Sequence, residues 1–129
     1  MPVDGSRLQE IAMRTAAGLP AAARSYPFGP EHDVFKVAGK IFLMATEAPG
    51  EQIVTLKCEP PHGLALRQEF PTITPGYHMN KQHWISVAAG PGITGQLVEE
   101  LVLNAYELVV DALPEHHRPL LRPARPPRG

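Results

Sequence analysis

Pro75-Gly76-Tyr77-His78-Met79-Asn80-Lys81-Gln82-His83-Trp84 runs directly into Ile85-Ser86-Val87-Ala88. The first ten residues hold two histidines, an asparagine, a lysine and the chain's single tryptophan. Proline presets φ near about −65° and glycine accepts positive φ, so Pro75-Gly76 reads as turn chemistry. The Trp-Ile-Ser-Val-Ala run that follows has strand propensity. A tight turn therefore delivers polar side chains to the start of a strand, and period two sends Ile85 and Val87 to one sheet face and Trp84 and Ser86 to the other.

Working back from that strand, Ile53-Val54-Thr55-Leu56-Lys57-Cys58 is another, entered from the Pro49-Gly50 turn. Its alternation places Val54, Leu56 and Cys58 on the core face and Thr55 and Lys57 on the opposite one. Asp33 to Ala38 and Lys40 to Thr46 form a hairpin about Ala38-Gly39-Lys40, with Phe35 and Val37 inward and Lys36 outward. Ser25-Tyr26-Pro27-Phe28 is expected as a further short β run. The sheet thus has a covered side and a polar, lysine-bearing side that is partly open.

Helices flank these strands. Ser6 and Gln9 have capping-box spacing and open a helix over about 6–18, with Leu8, Ile11, Ala12 and Leu19 on one stripe. Pro60-Pro61 starts a short helix over about 61–69, in which Leu64, Leu66 and Phe70 can pack. Pro71 and Pro75 bracket a loop. Thr94 caps the longest helix, about 95–112, whose Leu97, Leu101, Ala105, Leu108 and Ala112 repeat every three or four residues. A helical turn is expected to follow as far as about Leu121, with His116-His117 at an exposed end. Strands in series between terminal helices predict an α+β two-layer sandwich: an antiparallel sheet with the N-terminal and long C-terminal helices on one face.

At 129 residues, 43% hydrophobic and 19% charged, the chain suits one domain with a single core, expected over 1–121. Residues 122–129 are rich in proline and arginine and are expected to be a disordered tail. Cys58 is the only cysteine, so no intrachain disulfide can form; a buried structural thiol and a cytoplasmic home are expected. No stretch approaches the roughly 18 apolar residues of a membrane span. Residues 1–117 carry eight basic against thirteen acidic residues, an acidic body that weighs against strong non-specific nucleic-acid binding.

Tyr26-Pro27-Phe28-Gly29-Pro30, Val34-Phe35-Lys36-Val37-x-Gly39-Lys40, Leu56-Lys57-Cys58, Thr74 to Trp84, and Ala105-Tyr106-Glu107-Leu108-Val109 together resemble the MmcQ/YjbR family of small bacterial proteins. The resemblance runs from about residue 24 to 121. It implies a frataxin-like (CyaY-like) sandwich and a DNA-binding role through a double-wing arrangement, and it transfers no catalytic residue. The residues it makes prominent are His78, Asn80, Lys81, His83 and Trp84.

On this reading Lys36, Lys57 and Lys81 would meet phosphates, Trp84 and Asn80 would lie nearest the bases, and the arginines beyond residue 117 would add affinity by counterion release. The structural alternatives are a packed Trp84, an Asn80 that bonds its own backbone, and a Lys81 that solvates a turn. His78 and His83, five residues apart and without an acidic or thiol partner in the run, do not make a metal set, so neither metal nor cofactor is expected. No nucleophile elbow, phosphate loop or paired-histidine zinc motif is present, and an enzyme is not expected. The second function class is a small-molecule binder, with Tyr77, Trp84 and the histidines lining a cleft; a protein-interaction module is the third.

Overall fold

The computed structural model describes residues 2–30, 32–48, 50–77 and 79–114. The expected turn to Leu121, His116-His117 and the 122–129 tail lie outside them. Helix α1 spans Gly5–Ala17 and is capped by Asp4, whose carboxylate accepts from the Arg7 amide at 2.8 Å. The Ser6 capping box does not form. Ser6 lies inside the helix and its hydroxyl donates to Gln52, while the Gln9 amide donates to the Thr46 and Ile53 carbonyls at 2.8 and 2.9 Å. A longer-range pairing has taken the side chains that local spacing assigned to the cap.

Six strands form one antiparallel sheet in the order β1-β2-β3-β4-β6-β5: β1 Ala22–Ser25, β2 Asp33–Val37, β3 Lys40–Ala48, β4 Glu51–Lys57, β5 Ile73–Pro75 and β6 Trp84–Ala88. The β2–β3 hairpin turns at Ala38-Gly39, both at positive φ (49° and 78°), as a twist-matched two-residue turn requires. Residues 25–28 are not the expected strand. The first strand ends at Ser25, and Tyr26–Phe28 enter a turn closed by Gly29 N–H donating to Tyr26 O. Ile73–Pro75, expected as loop, pairs with β6 as an edge strand, where Pro75 needs no ladder donor.

Both α1 and α3 (Gly95–Asp111) lie on one face of the sheet, over Phe35, Leu43, Val54, Leu56, Ile85 and Val87. Thr94 caps α3 as expected, its hydroxyl accepting from Leu97 N–H at 3.2 Å. The buried stripe is Val98, Leu101, Val102, Ala105, Tyr106, Val109 and Val110, rotated from the expected one: Leu97 and Leu108 are half-buried and Ala112 is exposed. Helix α2 (Pro60–Glu69) buries Leu66 but leaves Leu64 exposed, with Phe70 half-buried against the core. Phe42 joins the helix-side core because the β2–β3 register slips between Phe35 and Lys36, and its ring meets Tyr106 edge-on at 5.5 Å. Among the described residues no helix is long and apolar enough to cross a membrane.

Candidate functional site

The sheet face away from α1 and α3 is laid out by register. Ser25, Val34, Met44, Thr55, Ser86 and Thr74 form one cross-strand row through all six strands. Toward the hairpin end Lys36 pairs with Ile41 and Lys57 with Trp84, and toward the other end Thr46 pairs with Ile53 and Ile53 with Ala88. Alternation in β4 and β6 thus put Lys57 and Trp84 where the sequence places them.

The face is not open, however. Val34, Met44, Thr46, Thr55, Ser86 and Trp84 are all buried; Phe28, His32, Tyr77 and Met79 stand around Met44 and Thr46, the Tyr77 amide reaches Ser86 and Gly76 packs against Trp84. Burial of Thr55 and Ser86 is made tolerable by their mutual hydrogen bond of 3.0 Å.

The segment after β5 is tied down at its start. Gly76 N–H donates to Trp84 O at 2.9 Å, and the next amide, Tyr77 N–H, donates to Ser86 Oγ at 2.8 Å. Gly76 is required by close approach, since a Cβ there would stand 2.5 Å from Trp84 Cβ. Positive φ, the reason expected from the Pro-Gly pair, does not apply to Gly76, and Pro75 belongs to the strand. The turn comes later, where Met79 N–H donates to Gly76 O.

The sequence-selected residues separate into three groups. Trp84 is 7% exposed and Lys57 places its ammonium 5.4 Å from the indole centroid, so the indole acts as a packing anchor with a cation over it. Asn80 Oδ1 accepts from the Gln82 and His83 amides at 2.9 and 3.2 Å, the local backbone bond of an Asx turn. His83 is exposed, and its carbonyl extends the β4–β6 ladder by accepting from Cys58 N–H. Lys81 is exposed, with Nζ 3.4 Å from Gly76 O, and Tyr77 is half-buried. Lys36 is half-buried toward the hairpin end. His78 lies outside the described residues. Lys81 and Tyr77 are thereby brought together over one part of the face, and Lys36, Lys57 and Trp84 over another.

Tyr77 lines two clefts. One, of about 410 Å³, is walled by Phe28, His32, Met44, Thr46, Tyr77 and Met79. The other, of about 270 Å³, includes Glu51, Thr72, Thr74, Lys81 and Ser86 with Tyr77. The first is mainly apolar with an imidazole and a hydroxyl at its boundary, the usual make-up of a ligand pocket. Phe28 is 61% exposed at its mouth. Sequence reasoning missed Phe28, His32, Met44 and Thr46 as site residues. The signal was present for two of them: Met44 pairs with Thr55, so extending the β4 parity across the sheet places Met44 and Thr46 on the same face.

A third cleft, about 490 Å³, lies at the hairpin end between Lys40, Ile41, Lys57 and Trp84 and the end of α3 at Leu108 and Ala112. Cys58 is buried under α2 with Sγ 3.6 Å from His62 Nδ1, and burial, assisted by the Glu59 charge, pushes its thiol up to about 11. That is the opposite of an activated nucleophile. Among the described residues no three His, Cys, Asp or Glu side chains gather as a metal set.

The arrangement of this sheet and its two helices recurs in known proteins. A Deinococcus radiodurans protein, DR2400, carrying the family-model domain DUF419, superposes with a TM-score of 0.75 at 31% identity over 84% of this chain and 83% of its own. A Pseudomonas syringae protein shares the fold alone, with a TM-score of 0.66 at 22% identity over 82% of this chain and 98% of that one. In sequence, the uncharacterised Escherichia coli protein YbdF is 44% identical over 121 residues, 94% of this chain and 99% of its own. The uncharacterised Escherichia coli protein YjbR is 34% identical over 86 residues, 67% of this chain and 73% of its own. The YjbR family model matches residues 17–108, which take in the sheet from β1 to β6, the segment that roofs its second face and most of α3. The chain belongs to the YjbR (MmcQ/YjbR) family.

Proposed function

We propose that this protein is a non-enzymatic binding protein for a small, largely apolar organic molecule, taken up in the cleft between Phe28, Met44, Thr46, Tyr77 and Met79. The observation that carries the reading is the cleft itself: about 410 Å³ of concave, mainly apolar space on the sheet face away from α1 and α3. Apolar contact supplies affinity there, and the few polar groups at the boundary orient the ligand.

The experiment is a titration with Nile red, an uncharged apolar dye. Met44 floors the cleft, so Met44→Trp fills it from within while circular dichroism reports retained fold. A saturable dye signal in the native protein that weakens by at least about tenfold, roughly 1.4 kcal/mol, in Met44→Trp supports the reading. Leu64→Trp, on the exposed side of α2, should bind as the native protein does. Equal dye binding by all three proteins would overturn it.

Nucleic-acid binding is the second reading, and one observation favours it. Lys36, Lys40 and Lys57 gather at the β2–β3 hairpin end, two of them lining the cleft that contains Trp84. A phosphate backbone is the matching partner class. Trp84 is the only tryptophan, so its fluorescence reports this end of the sheet directly. A saturable, salt-dependent change on adding single-stranded or duplex DNA, weakened by Lys40→Ala or Lys57→Ala, would establish this reading.

A further inference from the structure

We infer that the ligand of the second sheet face is a zwitterion with an apolar side chain, of the hydrophobic α-amino acid class, whose carboxylate meets Lys81 and whose ammonium meets Glu51. This deepens the small-molecule reading above and rests on it. The geometry behind it is the juxtaposition of two unlike clefts across one side chain. The apolar cleft has Thr46 in its floor and the polar cleft has Ile53, and these two residues are direct cross-strand partners. Tyr77 lines both, so the two clefts adjoin across its side chain over β3 and β4.

The polar half presents one cation and one anion. Lys81 is exposed and its ammonium rests 3.4 Å from Gly76 O; Glu51 is exposed and lines the same cleft. Neither is ion-paired among the described residues, whose salt bridges are Arg7–Glu10, Arg14–Glu10 and Arg24–Asp33. The hydroxyls around them are unequal. Thr72 Oγ1 donates to Ala88 O and Ser86 Oγ is engaged by Tyr77 N–H and Thr55, whereas Thr74 keeps an exposed hydroxyl on the edge strand.

Charge discriminates among ligands here more than it binds them, because both groups face solvent. A phosphate dianion or an apolar monocarboxylate brings its charge beside Glu51, and an apolar amine brings its charge beside Lys81. A molecule carrying both charges satisfies both groups while its side chain fills the space between Phe28 and Met44. Selection of this kind works through the repulsive partner as much as the attractive one.

The test is calorimetric titration of the full chain with L-phenylalanine, phenylpropionate, which lacks the ammonium, and phenethylamine, which lacks the carboxylate. L-Phenylalanine should bind at least about tenfold more tightly than either, one order of magnitude in Kd. Lys81→Met should abolish the preference over phenethylamine and Glu51→Gln the preference over phenylpropionate. Both positions are exposed, so the fold is retained. Equal binding of the three compounds, or a preference unchanged in both variants, would overturn the inference. Absence of binding by all three, with Nile red still displaced by Met44→Trp, would overturn the zwitterion and leave the apolar cleft standing; loss of the dye effect as well would remove both.

Discussion

The amide of Tyr77 donates to the buried hydroxyl of Ser86 at 2.8 Å, and this bond holds the chain leaving β5 over the second face of the sheet. Ser86 is central to the cross-strand row of that face, and Thr55 shares its hydroxyl. Replacing it orphans an amide at the point where the cleft wall begins. Ser86→Ala should cost about 1–3 kcal/mol in a urea denaturation, the range for a donor left without its partner. Hydrogen exchange at Tyr77 should accelerate well before exchange in β4 does, since the loss is local.

Gly76→Ala tests the same wall by steric means. The added carbon would meet Trp84 Cβ at 2.5 Å and the Trp84 carbonyl at 3.2 Å, so the β5–β6 end must separate. Overpacking of this kind costs about 1–3 kcal/mol. The indole should gain solvent contact, read as a red shift of Trp84 emission and easier acrylamide quenching.

Cys58 links stability to alkaline pH. Its thiol is held at about 11 against an ordinary value of 9.0, with burial the main cause. The folded state therefore retains a proton that the unfolded chain gives up. The stabilisation is complete below pH 9 and is lost as pH rises through about 11. The difference amounts to roughly 2–3 kcal/mol at the far end of that window. Cys58→Ala should be less stable at neutral pH and should show a flatter fall across the window, and the native thiol should react slowly with Ellman's reagent until the protein unfolds.

Tyr106 joins α3 to the connection between α1 and β1. Its hydroxyl donates to Pro20 O at 2.7 Å while its ring packs edge-on against Phe42, and burial raises its phenol above the ordinary value. Tyr106→Phe keeps the ring contact and removes the bond, so a loss of about 1 kcal/mol is expected in thermal unfolding. Tyr106→Ala should cost about 3–5 kcal/mol, because it opens a cavity under the helix as well.

The sheet and helices were legible wherever one local pattern decided the matter. Period two in 53–58 and 84–88 placed Lys57 and Trp84 on a common face, and Thr94 announced the start of α3. Local patterns misled where a distant partner competed. Ser6 and Gln9 have the spacing of a cap, yet the carbonyls of Thr46 and Ile53, some forty residues away, claim Gln9. Thr72-Ile73-Thr74 is β-branched but only three residues long between two prolines, and it becomes a strand because β6 offers it a ladder.

For the candidate site the division is sharper. Sequence by itself determined the α+β class, the common face of Thr55, Lys57, Trp84 and Ser86 and the chemistry concentrated in 75–84, because alternation and turn preference are properties of neighbouring residues. Tertiary structure alone decided that the second face is covered, that Trp84 is packed under Lys57, and that Phe28, Met44 and Thr46 share a cleft with Tyr77. Those relationships join segments separated by tens of residues, and their cause is physical. Leaving Val34, Met44 and Trp84 wet costs free energy, so Phe28, His32, Gly76, Tyr77 and Met79 gather over that face.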